Sequence, residues 1–186
     1  MILYHTGYEI IKAPDVRRGR RNADLGQGFY LSDDAEFCRR WARTRKDLTV
    51  YLNIYSLDTE GLEVLRLERD AAWSGYIYSN RTGHADIYPD ADVITAPVAN
   101  DTIYDTLGVT VSGTLTPEQV CSLLLIGPEY HQTVIKTERA ANALRFIRAD
   151  VIDPSETLSY RDTVRREEEA YQRLFFEALE RITGDR

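Results

Sequence analysis

Short runs of alternating apolar and polar residues are interleaved along the chain with runs at helical spacing, so it reads as a mixture of strands and helices. Residues 2–5 form a β-type run, and 8–11 are a second strand or a continuation after a turn at Gly7. Residues 29–31, 48–57, 62–67, 93–97, 132–135 and 145–152 read as further strands. Helical spacing marks residues 33–45, with Ala35, Cys38, Trp41 and Ala42 on one face behind a Ser32 or Asp33 cap. Shorter helices are expected at 70–80, 102–111, 117–125 and 138–143, the third opened by Thr116 and Pro117. From Ser155 onward, Val164, Tyr171, Leu174, Phe175, Ala178 and Ile182 repeat as in a long amphipathic helix. Between residues 14 and 28 the periodicity lapses, and glycines and arginines gather in an irregular, functional-looking loop. The expected class is α+β.

Length and charge sharpen this picture. The 186 residues fit one domain, here residues 1–153, with residues 154–186 as a helix packed on it or offered to a partner. Acids outnumber bases 30 to 23, for a net charge of -7, which argues against a general nucleic-acid binder. Residues 1–50 run the other way, with ten bases against seven acids, about +3, and the remainder carries about -10. Such an asymmetry suits one anionic ligand. Cys38 and Cys121 show no disulfide pattern, and Met1 leads directly into a strand rather than a signal peptide. The cytoplasm is the expected compartment, and no membrane partner is expected.

Several chemistries find no support in the pattern. His5, His84 and His131 have no metal-site spacing, so no metal is expected, and Cys38 reads as an inert core thiol. Gly26-Gln27-Gly28 precedes a strand rather than a helix and is no dinucleotide fingerprint. The densest stretch is Leu25-Gly26-Gln27-Gly28-Phe29-Tyr30, where paired glycines permit close backbone approach. Strand alternation then puts Phe29 and Tyr30 on opposite faces. With Phe29 in the core, Tyr30 is free to stack on a planar ring; the simpler reading is a β-turn with a buried Phe and a half-exposed Tyr.

Tyr4-His5-Thr6-Gly7, followed by Gly26-Gln27-Gly28-Phe29-Tyr30-Leu31, resembles the first two motifs of the ADP-ribosyltransferase superfamily, in its diphtheria-toxin and poly(ADP-ribose) polymerase branch. A closer resemblance is to a bacterial family of unknown function within that superfamily. Its motifs are matched by the stretch from Arg20 to Leu31, by Trp41-Ala42 and by Pro97-Val98-Ala99-Asn100-Asp101. A late motif is matched by His131-Gln132-Thr133-Val134-Ile135-Lys136-Thr137. The resemblance spans roughly residues 2–150, and members often look like the toxin half of a toxin–antitoxin pair.

It implies a split, mostly antiparallel β core flanked by helices, with NAD in the cleft. The implied activity is cleavage of the nicotinamide–ribose bond and transfer of ADP-ribose to a protein, RNA or DNA acceptor. A cognate antitoxin protein is an implied partner. His5 is expected to hydrogen-bond ribose, Thr6 and Gly7 to meet the nicotinamide amide, and Tyr30 to stack on the nicotinamide ring. Gly28 and Phe29 belong to the same binding strand. Arg20, with Arg21, is expected at the pyrophosphate, where a guanidinium fork is well suited. Asp24 holds that loop or the ribose hydroxyls; Asn100 and Asp101 line the cleft, or Asp101 is only a helix cap. Two positions depart from the superfamily. Thr6 stands where a glycine follows the histidine. Gln132 stands where a glutamate is usual, and an amide bonds a ribose hydroxyl without offering full charge to an oxocarbenium ion. A non-catalytic NAD- or partner-binding module, an NAD glycohydrolase and an RNA 2′-phosphotransferase are the alternatives.

Overall fold

The computed structural model describes residues 1–43 and 47–184. The irregular stretch before residue 29 contains a single 3-10 turn, Val16–Arg18, opened by the Asp15 carboxylate accepting from the Arg17 amide. The strands are β1 (Ile2–Gly7), β2 (Phe29–Leu31), β3 (Val50–Leu57), β4 (Val64–Arg66), β5 (Val93–Pro97), β6 (His131–Ile135) and β7 (Leu144–Ile152). The helices are α1 (Ala35–Arg40), α2 (Ala71–Arg81), α3 (Asn100–Ile103), α4 (Leu107–Thr110), α5 (Pro117–Leu124), α6 (Glu138–Ala143) and α7 (Pro154–Gly184). Among the described residues no helix is long and apolar enough to cross a membrane.

Two sheets result. One has the order β1-β3-β7 and is antiparallel throughout; the other has the order β2-β6-β5-β4, antiparallel except for the β4–β5 pair. The expected α+β class with a split, mostly antiparallel core is what is observed. A bridge between Tyr4 and Ser32 joins the sheets.

Period-two alternation explains the layers. Leu3, Tyr55 and Leu57 of the first sheet meet Phe29, Leu31, Val93 and Ile135 of the second in one core between them. The outer face of the first sheet, with Leu52 and Ile54, packs on Cys38 and Ala42. The outer face of the second, with Ile94, Ala96 and Val134, is covered by Trp73, Tyr76 and Ile77 of α2, Val120 and Leu123 of α5, and Tyr171 and Phe175 of α7. Helix α7 therefore docks its C-terminal half into the largest core. Arg69 secures the end of α5 there by donating to the Leu124, Ile126 and Gly127 carbonyls, at and just beyond its last residue.

Three expectations need correction. Residues 8–11 are not a strand: the Asn53 side chain accepts from the Ile11 amide and donates to the Glu9 carbonyl, so side-chain bonds replace a ladder. Helix α1 is capped by Asp34, which accepts from the Phe37 amide, rather than by Ser32 or Asp33, and it closes at Trp41. The expected end at Arg45, with Arg45 and Lys46, lies outside the described residues. Helical content at 102–111 is two short helices, interrupted where Asp105 takes a φ of 58°. Arg39 and Arg40 of α1 pair with Glu156 (2.7 Å) and Glu167 (3.0 Å) of α7.

Candidate functional site

Tyr30 of β2 lies opposite Val134 of β6, and Gln132 shares the Val134 face, so Tyr30 and Gln132 present side chains on the same side of the second sheet. There they form the floor of a cleft of about 380 Å³. Arg20 and Asp24, from the loop before β2, form one wall, and Phe37, Trp41 and Arg43, in and just after α1, form another. Val98, Thr102 and Ile103 close it. A neighbouring cleft of about 330 Å³ shares Trp41 and Arg43 and is lined otherwise by Thr6, Gly7, Tyr8 and Val50.

The Tyr30 ring is held at its tip. Its hydroxyl accepts from the Leu25 amide (2.9 Å) and donates to the Gly26 carbonyl (2.7 Å). Gly26 has a φ of +81°, where a side chain would be strained, so the turn that receives the phenol needs glycine. Burial pushes the phenol's pKa far up, and it stays a neutral donor. Phe29 faces the other way, into the core between the sheets, which matches the alternation read from the sequence. A Cβ at Gly28 would come within 2.4 Å of Val134 Cγ2 and 2.5 Å of the Ile135 carbonyl. The close approach at Gly28 is therefore to β6. Gly28→Ala is expected to cost about 1–3 kcal/mol through overpacking, read as a lowered urea midpoint.

His5 sits behind this strand, not on the cleft wall. Its ring is 4.5 Å from that of Phe29, and Nδ1–H donates to the Tyr30 carbonyl at 2.7 Å. A carbonyl only accepts, so the neutral ring carries its proton on Nδ1 and leaves Nε2 as an acceptor. A Cβ at Gly7 would stand 3.4 Å from Nε2, so that edge lies beside Gly7, itself a lining residue of the second cleft. Burial lowers the His5 pKa, partly opposed by the Tyr30 carbonyl. A lowered folded-state value means the unfolded chain binds the proton more readily. The His5 contribution to stability is thus present above about pH 6.5 and is lost as pH falls below that. Wild type is expected to lose more stability than His5→Gln between pH 7.5 and 5, which thermal melts of both would show.

Beneath the cleft lies a buried ion network. Arg81, at the end of α2 and only 4% exposed, donates from Nε to Asp24 (2.9 Å) and from its two terminal nitrogens to Asp101 (2.8 and 3.0 Å). Asp101 is fully buried and also accepts from the Thr110 hydroxyl at 2.6 Å. Desolvation raises the Asp24 pKa and the charge of Asp101 adds to this, while Arg81 and the Gln132 side chain oppose it. Burial disfavours the Arg81 charge, but its two carboxylates more than offset this.

Of the residues expected at the site, Arg20, Asp24, Tyr30 and Gln132 line the larger cleft, and Thr6 and Gly7 the smaller one. Asp101 sits one shell deeper, as an ion partner rather than a helix cap. Asn100 is buried, donates to the Ile126 and Pro128 carbonyls, and braces a loop. Arg21 is exposed and lines neither cleft. Glu129, an exposed carboxylate, pairs with His131 at 3.2 Å, and Glu118 is exposed on α5. Cys38 is buried with its pKa pushed up to about 12, a poor nucleophile. Among the described residues no group of His, Cys, Asp or Glu is placed to hold a metal ion.

Sequence reasoning missed Arg81, Phe37, Trp41 and Arg43 as site residues. Trp41 shows the helical spacing of a core residue, yet one edge of it packs on Tyr104 while the side chain also lines both clefts. Its indole nitrogen is buried without a hydrogen-bond partner among the described residues.

No curated protein and no solved structure matches this sequence. Residues 1–146, which carry both clefts, the whole second sheet and strands β1 and β3 of the first, match the model of a protein family of unknown function, DUF3990, and the chain belongs to that family.

Proposed function

We propose that the protein transfers ADP-ribose from NAD to a macromolecular acceptor. The observation that carries this reading is the larger cleft, where an aromatic floor and wall (Tyr30, Phe37, Trp41) adjoin two guanidinium groups (Arg20, Arg43) and a polar pair (Asp24, Gln132). NAD needs these features: a face for a planar ring, cations for a pyrophosphate, and acceptors for ribose.

In this reading Tyr30 stacks on nicotinamide, and its tip, anchored to Gly26, keeps the ring from rotating away. Arg20 and Arg43 pair with the pyrophosphate. Gln132 bonds a ribose hydroxyl. His5 holds the Tyr30 backbone and keeps Nε2 beside Gly7. The bond from ribose C1′ to the nicotinamide nitrogen breaks, its electron pair leaves with neutral nicotinamide, and the acceptor nucleophile bonds C1′ and gives up a proton. A toxin paired with an antitoxin protein is the setting that the resemblance supports.

Incubation with NAD labelled in its adenylate half and a cell extract, followed by protease or nuclease treatment, tests this. Label is expected to move to a macromolecule with release of nicotinamide. Gln132→Glu is expected to accelerate that release by restoring a carboxylate near the developing cation. Binding of NAD with no nicotinamide release, in wild type and in Gln132→Glu, would overturn the transferase.

A further inference from the structure

We infer that Asp24 gives the cleft its selectivity for a cationic planar ring, so that the site takes the pyridinium of oxidised NAD and rejects the neutral ring of the reduced form. This rests on reading the cleft as an NAD site, and it assigns to Asp24 the charge that Gln132 lacks.

The accounting of the buried network carries the inference. Asp24 and Asp101 share one guanidinium, Arg81, so the group retains one negative charge when both acids are ionised. Asp101 is saturated: it takes both terminal nitrogens of Arg81 and the Thr110 hydroxyl, and it is shut away from solvent. Asp24 meets Arg81 with one oxygen, Oδ1, at Nε and at one terminal nitrogen, has the Gln132 side chain beside it, and is the carboxylate that reaches the cleft wall. The excess charge therefore belongs to Asp24. Its site is poorly solvated and has a like charge behind it, so a cation arriving in the cleft supplies a partner that the protein withholds. The aromatic faces of Tyr30 and Trp41 on the same cleft favour a cation as well. Arg20 and Arg43 form a second, positive pole. A ligand with a cationic ring and an anionic linker meets both poles, whereas a uniformly anionic ligand meets Asp24 with repulsion.

Calorimetric titration of the full chain with oxidised and reduced dinucleotide, and with the 1-methylnicotinamide cation against nicotinamide, tests the assignment. Wild type is expected to favour the charged member of each pair by about tenfold or more, about 1.4 kcal/mol. Asp24→Asn keeps an acceptor for Arg81 and is expected to lose that preference without losing the folded state, as a thermal melt would verify. The double variant Asp24→Asn/Gln132→Glu returns a carboxylate to the neighbouring position and is expected to regain it, which a merely structural role of Asp24 would not produce. Dinucleotide binding in which wild type makes no distinction, or in which Asp24→Asn keeps the full preference, overturns the inference and leaves the NAD reading standing. Failure of wild type to bind either dinucleotide overturns both.

Discussion

Replacement of Tyr30 by alanine is expected to weaken NAD binding about 100-fold, or about 2.7 kcal/mol. Two losses combine. The ring that forms the cleft floor is gone, removing a stacking surface of the kind that contributes about 1–3 kcal/mol for a planar base. The hydroxyl that accepts from Leu25 and donates to Gly26 is gone too, and with it the anchor of the loop that carries Asp24. Tyr30→Phe separates these terms, because it keeps the ring and removes the anchor. Titration of NAD against all three proteins is the measurement. Alanine and wild type binding with equal affinity would mean that this face of the sheet is not the ligand's seat.

Asp101→Ala is expected to lower stability by about 3–5 kcal/mol, because it strips the bidentate partner from a guanidinium whose side chain is only 4% exposed. At this chain length that is a fall of about 10 °C in melting temperature. Asp24 still faces Arg81 at Nε and at one terminal nitrogen, but the other terminal nitrogen is left without a carboxylate. The Thr110 hydroxyl loses its acceptor as well. Differential scanning calorimetry of Asp101→Ala beside Asp24→Asn checks the asymmetry. A melting temperature for Asp101→Ala within a degree or two of wild type would show that the network is solvated and not the closed triad described.

Much of this fold was legible before the coordinates. Strands β2, β3, β5, β6 and β7 follow from alternation and β-branched or aromatic content, and Thr116 with Pro117 announces α5, where a full capping box with Gln119 forms. Asp70 caps α2 in the same way, by accepting from the Trp73 amide. What escaped were segments whose conformation is decided by distant side chains. Residues 8–11 look extended, but Asn53 of β3 holds their backbone in place of a strand. The break near Asp105 depends on a single left-handed residue.

The site divides along the same line. Alternation by itself put Phe29 and Tyr30 on opposite faces and singled out the glycines around them, and the charge count put the cationic pole in the first quarter of the chain. No local pattern announces Arg81: it is one arginine at a helix end, and its meaning comes from Asp24 and Asp101, 57 and 20 residues away. Trp41 has the spacing of a core residue, and only packing exposes part of it to two clefts. The sequence thus determined most of the strands and the turn beside Tyr30, because these rest on local backbone preference and on residues close in the chain. The tertiary structure alone decided which carboxylate is satisfied and which faces the cleft, because that depends on how one buried guanidinium is shared between distant segments.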